Sequence, residues 1–119
     1  VSIVLYGLPN CDTCRKARKW MEGANIDFDF IDYRAEPVPA ARLKRWARQL
    51  GGWEELINKA STTWRQLPDT LKDPGNDARW TRLVAEHPTL VRRPVLERGD
   101  GSVSVGFSEA RFKKLFGTR

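Results

Sequence analysis

The chain opens on a short β-rich run, Ser2 to Tyr6, which Gly7, Pro9 and Asn10 close with turn-forming residues. From Asp12 the spacing becomes helical. Cys14, Ala17 and Met21 share one stripe, Trp20 and Ala24 flank it, and Gly23 is placed to cap the C-terminus. Ile26 to Asp32 then alternates Ile26, Phe28 and Phe30 inward against Asp27 and Asp29, which predicts a second strand. After Pro37 and Pro39 the pattern stays helical for about fifty residues. Leu43, Trp46, Ala47 and Leu50 keep helical spacing until Gly51 and Gly52 stop the run, and Trp53 to Ile57 reads as a further turn or two. Ser61 to Thr63 supplies a cap for a short helix carrying Trp64 and Leu67. Asn76 or Asp77 caps one whose inner face is Trp80, Leu83 and Val84, ended by Pro88. The last thirty or so residues return to strands. Val95 and Leu96 follow Pro94, Gly99-Asp100-Gly101 is a hairpin signal, and Val103, Val105 and Phe107 alternate with Ser104 and Gly106. Ser108 then caps a closing helix stapled by Phe107 and Phe112, with Leu115 and Phe116 to dock it. The order β-α-β, helical block, β-β-α predicts an α/β fold: a small mixed sheet with helices packed on it.

Composition narrows what such a fold can be used for. At 119 residues and 40% hydrophobic, the chain suits one domain with a real core. No window approaches the ~20 apolar residues of a membrane span, and the N-terminus lacks a basic-then-apolar signal pattern, so the expected address is the cytoplasm and no membrane partner is expected. The formal net charge of +6 raises the question of nucleic acid. The cations are spread, however: Arg15, Lys16, Arg18 and Lys19 on one helix, Arg42, Lys44, Arg45 and Arg48 on another, and Arg92, Arg93, Arg111, Lys113 and Lys114 near the end. No groove-reading motif accompanies them. Solvated helix faces account for the charge, direct nucleic-acid binding is not expected, and small anionic thiols or an acidic protein surface are the fitting partners.

Both cysteines lie in one stretch, YGLPNCDTCRKARKW, at Cys11 and Cys14. A metal site is not expected: zinc needs three or four protein ligands, and the chain offers two Cys and one His, with His87 far away on the Trp80/Leu83/Val84 face. A structural disulfide suits a reducing compartment least. Nucleophilic chemistry fits best. Cys11 falls just before the helix, where free N–H groups and the dipole favour a thiolate, and Arg15 and Lys16 add positive charge in the first turns. Cys14, three residues on, lies on the same side of the helix start and can resolve a mixed disulfide on Cys11. The alternative for Cys14 is a small buried residue on the Ala17/Met21 stripe.

The segments YGLPNCDTCRKARKW, FDFIDYR, TTWRQL, EHPTLVRRPVLE and VGFSEARFKKLF occur in the order found in the arsenate reductase (ArsC)/Spx family of thioredoxin-like proteins, and the chain resembles most its YffB-like branch. The resemblance implies one domain over 1–119, with a thioredoxin-like lobe at 1–36 and 88–119 and a helical insert at 37–87. It implies Cys11 as the reactive thiol, Arg93 and Pro94 opposite it, and a cis bond at Pro94 presenting the Arg93 backbone to an incoming thiol peptide. Three activities compete within the family. The YffB-like branch resembles glutathione-dependent thiol reductases, which implies no bound cofactor, glutathione as co-substrate and a thiol or disulfide substrate. Arg93, Arg15 and Lys16 would hold glutathione's carboxylates, with Tyr6, Asn10 and Thr13 at the pocket rim. The CxxC pair departs from that branch, which commonly carries the first cysteine alone, and is similar to Spx, a redox-switched regulator that binds the RNA polymerase α-subunit. Arsenate reduction is disfavoured: the family's enzymes set three arginines around the oxyanion. Here Arg93 alone has a clear counterpart, Gly106 stands where a second is expected, and INKAS offers one charge, Lys59.

Overall fold

A computed structural model describes residues 2–117. The chain divides into two compact units, Val1–Tyr33 with Arg93–Arg119, and Arg34–Arg92. The division lies a few residues outside the 37–87 expected for the helical block.

The first unit is built on a four-stranded sheet in the order β2-β1-β3-β4, from β1 (Val4–Gly7), β2 (Asp29–Asp32), β3 (Val95–Glu97) and β4 (Val103–Val105). β1 and β2 run parallel, joined through α1 (Asp12–Gly23), whereas β3 is antiparallel to both β1 and β4. Leu5 and Leu96 are register partners, so their side chains share one face of the sheet. Ala17 and Met21 of α1 and Phe112 of α6 (Glu109–Phe116) pack with them into the core of this unit. Trp20 meets Phe112 edge-on at 5.8 Å between ring centroids, and Phe107 meets it at 4.7 Å, the expected staple. Burying a ring of this size is worth about 1.5–3 kcal/mol, which is why an eight-residue helix can dock stably. Ser108 caps that helix, its Oγ accepting from the Arg111 N–H at 3.2 Å. The β3–β4 hairpin turns as expected, with Gly101 at φ 87° and Asp100 Oδ1 accepting from the Ser102 N–H. The Arg93–Pro94 bond is cis.

Three boundaries differ from the sequence pattern. The first strand runs through Gly7 rather than ending before it. The left-handed residue after α1 is Asn25 (φ 58°), not Gly23, which remains helical; asparagine's short polar side chain tolerates that conformation. β2 begins only at Asp29, because the Ile26 N–H is spent on the Met21 carbonyl at 3.0 Å, and ladder pairing starts at Asp29, whose N–H reaches the Ile3 carbonyl.

The second unit is helical: α2 (Ala40–Leu50), α3 (Trp53–Leu56), α4 (Thr62–Arg65) and α5 (Asp77–Glu86), with single 3-10 turns at Asp69–Leu71 and Pro88–Leu90. Gly51 adopts the left-handed cap (φ 96°) that ends α2. Ser61 Oγ and Asn76 Oδ1 cap α4 and α5, accepting from the N–H groups of Trp64 and Arg79. Trp53, Trp80 and Trp64 stack face to face, with centroid separations of 5.8 and 6.2 Å and interplanar angles of 8° and 12°.

Candidate active site

The site is assembled at the carboxyl ends of β1 and β2, where a parallel βαβ unit opens toward its ligands. Leu8 to Cys11 forms a tight turn with Pro9 and Asn10 at its centre, closed by the Cys11 N–H on the Leu8 carbonyl at 3.3 Å. The turn delivers Cys11 as the N-cap of α1: its backbone is extended (φ −95°, ψ 126°) and its carbonyl accepts from the Arg15 N–H at 2.9 Å. No side-chain oxygen caps this helix. The Cys11 side chain makes no capping hydrogen bond of its own; the groups that act on its sulfur are the nearby N–H groups of Cys14 and Thr13, the Cys14 thiol and the Arg93 side chain, which together favour its ionised form.

These contacts divide the two thiols electrostatically. Desolvation pushes Cys11 up, but the hydrogen bonds from Cys14, Thr13 and Arg93 outweigh it and hold the thiol below its ordinary value. Cys14 is wholly buried, on the 14/17/21 stripe, and burial pushes its thiol up to about 11, with the neighbouring Cys11 sulfur adding to the effect. Both cysteines are free, and each thiol influences the ionisation of the other. The result is one half-exposed thiol made more acidic than usual beside one buried, protonated thiol, the arrangement expected of a reactive cysteine and its neighbour.

Gly7 and Tyr33 belong to this arrangement and were not read from the sequence as site residues. Gly7 is buried at the end of β1, and a Cβ there would lie 2.5 Å from Cys14 Sγ and 3.4 Å from a Phe30 ring carbon. The glycine is the space that Cys14 occupies. Tyr33 follows β2, its N–H on the Gly7 carbonyl at 3.2 Å, and its hydroxyl accepts from Arg93 Nη1 at 3.3 Å. Burial pushes the Tyr33 phenol up to about 12, so it stays neutral.

The other expected site residues take different places. Arg93 is half-buried, with its guanidinium shared between Tyr33 and Cys11, and Pro94 is buried beside it at the start of β3. Arg15 is exposed and paired with Asp12, and Lys16 is exposed; neither is among the leading influences on Cys11. The cation that favours the Cys11 thiolate is Arg93, supplied across the sheet rather than by α1. Asn10 is exposed in the turn, Thr13 contributes its backbone, and Tyr6 is buried in β1. Among the described residues no three His, Cys, Asp or Glu side chains cluster as metal ligands, and no helix is long and apolar enough to cross a membrane.

The sequence pattern of the ArsC family matches residues 6–115, a span that takes in every residue of this site. The chain belongs to the ArsC family. This ArsC-family protein is 32% identical over 115 residues to the global transcriptional regulator Spx of Bacillus subtilis, covering 95% of this chain and 86% of that one. Among solved structures it is similar to a YffB protein, with a TM-score of 0.86, 36% identity and coverage of 95% and 97% of the two chains. It is also similar to an arsenate reductase related protein from Brucella melitensis, with a TM-score of 0.74, 41% identity and coverage of 98% and 95%. The thioredoxin-like α/β fold of these ArsC proteins is the fold of this one, and its sheet carries the N-cap cysteine.

Proposed function

We propose that this ArsC-family protein is a thiol–disulfide oxidoreductase that uses glutathione as co-substrate, with Cys11 as nucleophile. The observation that carries the reading is the placement of Cys11 as the N-cap of α1, where nearby N–H groups, the Cys14 thiol and Arg93 bring its thiol below the ordinary pKa. The Cys11 thiolate attacks one sulfur of a disulfide, forming a mixed disulfide and releasing the other half as a thiolate, which takes a proton from solvent. Two routes then complete the cycle. In one, Cys14 loses its proton and attacks the Cys11 sulfur, releasing the second thiolate and leaving a Cys11–Cys14 disulfide. Two glutathione molecules reduce that disulfide and leave as glutathione disulfide. In the other, a glutathione thiolate attacks the substrate-derived sulfur of the mixed disulfide directly, releasing the Cys11 thiolate and carrying that half away as a disulfide with glutathione, which is glutathione disulfide itself when the bound half is glutathione. Forming the mixed disulfide removes the Cys11 charge that helps keep Cys14 protonated, but its burial persists, which favours the direct route. Arg93 steadies the departing thiolate and offers a cation to a glutathione carboxylate.

The test is turnover of a small mixed disulfide with glutathione, coupled to glutathione disulfide formation, in the parent, Cys11→Ser and Cys14→Ser proteins. C11S should abolish turnover and C14S should retain it. Activity surviving in C11S refutes the reading. A second reading, a redox-switched regulator that binds the RNA polymerase α-subunit, is favoured by the likeness to Spx and by the neighbouring pair of free thiols. Co-purification with polymerase that depends on the state of the two cysteines, without glutathione turnover, would select it.

A further inference from the structure

We propose that Tyr33 is a positioning residue for this site: its hydroxyl accepts one arm of the Arg93 guanidinium and thereby sets the other against the Cys11 sulfur. The proposal rests on Cys11 being the reactive thiol. Three observations support it. First, Arg93 Nη1 donates to the Tyr33 hydroxyl at 3.3 Å, and the same guanidinium is near enough to the Cys11 sulfur to be among the groups that favour its ionised form. A guanidinium is a rigid planar fork, so fixing one end fixes the direction of the other. Secondly, Tyr33 is itself immobile. It is 2% exposed, and its N–H is tied to the carbonyl of Gly7, the residue whose missing side chain makes room for Cys14. The sulfur pair and the tyrosine are thus referenced to one point on β1. Thirdly, the phenol is neutral in its desolvated setting, so it orients Arg93 without competing with the thiolate as a counter-charge.

A purely structural tyrosine would contribute packing and no more, and the two roles separate experimentally. Tyr33→Phe keeps the ring and removes one oxygen. The readout is the iodoacetamide alkylation rate of Cys11 against pH, mapped by peptide mass, with thiolate ultraviolet absorbance as a second measure. Y33F should move the Cys11 midpoint upward. Below the parent midpoint its alkylation should slow about three- to tenfold, as when part of one charge-assisted hydrogen bond is forfeited. In an Arg93→Gln background Y33F should change nothing further, because the group it orients is gone. A Y33F profile that superimposes on the parent overturns the proposal, as does an equal shift with and without Arg93. Arg93→Lys gives an independent test should Y33F fold poorly. Lysine keeps the charge but cannot span both partners, so its midpoint should rise, and a midpoint like the parent's refutes the need for a held fork. None of these measurements requires a physiological substrate. Absence of glutathione turnover would therefore sink the proposed function and leave this inference standing, whereas labelling of Cys14 ahead of Cys11 would sink both.

Discussion

Gly7→Ala makes a sharp test of how Cys14 is housed. Gly7 has no need of a left-handed backbone, so an alanine is conformationally acceptable there. At an open site such a substitution would stabilise the protein by about 0.4–1 kcal/mol through the unfolded chain. Here the new methyl would lie 2.5 Å from Cys14 Sγ, well inside contact, and 3.4 Å from the Cys14 Cβ and a Phe30 ring carbon. Cys14 is wholly buried, so its sulfur cannot swing into solvent, and the helix or the strand must give. Overpacking of this kind costs about 1–3 kcal/mol. Set against the entropic gain, the net expectation is a loss of about 1–2 kcal/mol, or roughly 4–8 °C in Tm for a chain of this size. Urea unfolding of the reduced protein, followed by far-ultraviolet circular dichroism, measures it, with a check for a single transition because the chain has two compact units. The same displacement removes the Cys14 S–H from Cys11, so Cys11 should become a weaker acid and alkylate more slowly at a pH below its midpoint. A G7A protein as stable as the parent, or more stable, would refute the close packing on which the site description depends.

Alkaline pH should weaken the reduced protein. Cys14 is raised in the folded state from 9.0 to about 11, so the native state holds a proton that the unfolded chain has lost, and stability falls as pH climbs through that window. Tyr33, raised from 10.0 to about 12, extends the loss upward, whereas Cys11 is shifted the other way and adds no slope above 9.0. Urea midpoints that stay constant from pH 9 to 11 would contradict this. Arsenate should be a poor substrate, since Arg93 is the guanidinium among the leading influences on Cys11 and a tetrahedral oxyanion needs several convergent donors; turnover with arsenate matching that with a small disulfide would overturn the expectation. Ser108→Ala should cost about 1 kcal/mol by uncapping α6, whose first free N–H groups lose the Ser108 oxygen. Thermal unfolding of S108A unchanged from the parent would argue that α6 is held by its aromatic face alone.

Elements whose signal is local were legible in the sequence. The 14/17/21 stripe, the caps at Ser61, Asn76 and Ser108, the glycine stop after Leu50 and the Gly99–Gly101 hairpin each depend on residues within a few positions of one another, and each is found. The start of β2 was not legible, because alternation reports which side chains are buried and not which N–H groups find a neighbouring strand. Ile26 and Phe28 do pack on the core, but from outside the ladder. The site followed the same division. Cys11 and Cys14 announce themselves by spacing and helix position. Arg93 came from family likeness alone, and Tyr33 and Gly7 from neither. Tyr33 lies sixty positions from the arginine it holds, and Gly7, seen beside Pro9 and Asn10, looks like turn chemistry. Arg15 and Lys16 show that proximity along a helix is not direction: Arg15 turns to Asp12, and neither cation is among the leading influences on Cys11.

The three stacked indoles of the second unit bear on how the molecule can be watched. Of the five tryptophans, Trp46, Trp53, Trp64 and Trp80 belong to Arg34–Arg92, and Trp20 alone belongs to the unit that carries the cysteines. Trp20 sits one turn of α1 beyond Lys16 and rests against Phe112 and Phe116, so its emission reports the packing of α1 on α6. A Trp20→Phe protein would emit only from the helical unit, where any loosening of the Trp53–Trp80–Trp64 stack changes the overlap of neighbouring rings. Subtracting its signal from the parent's gives the molecule two spectral addresses without an added label. Oxidation, alkylation or glutathione exchange at Cys11 could then be followed as a fluorescence change assigned to one unit or the other.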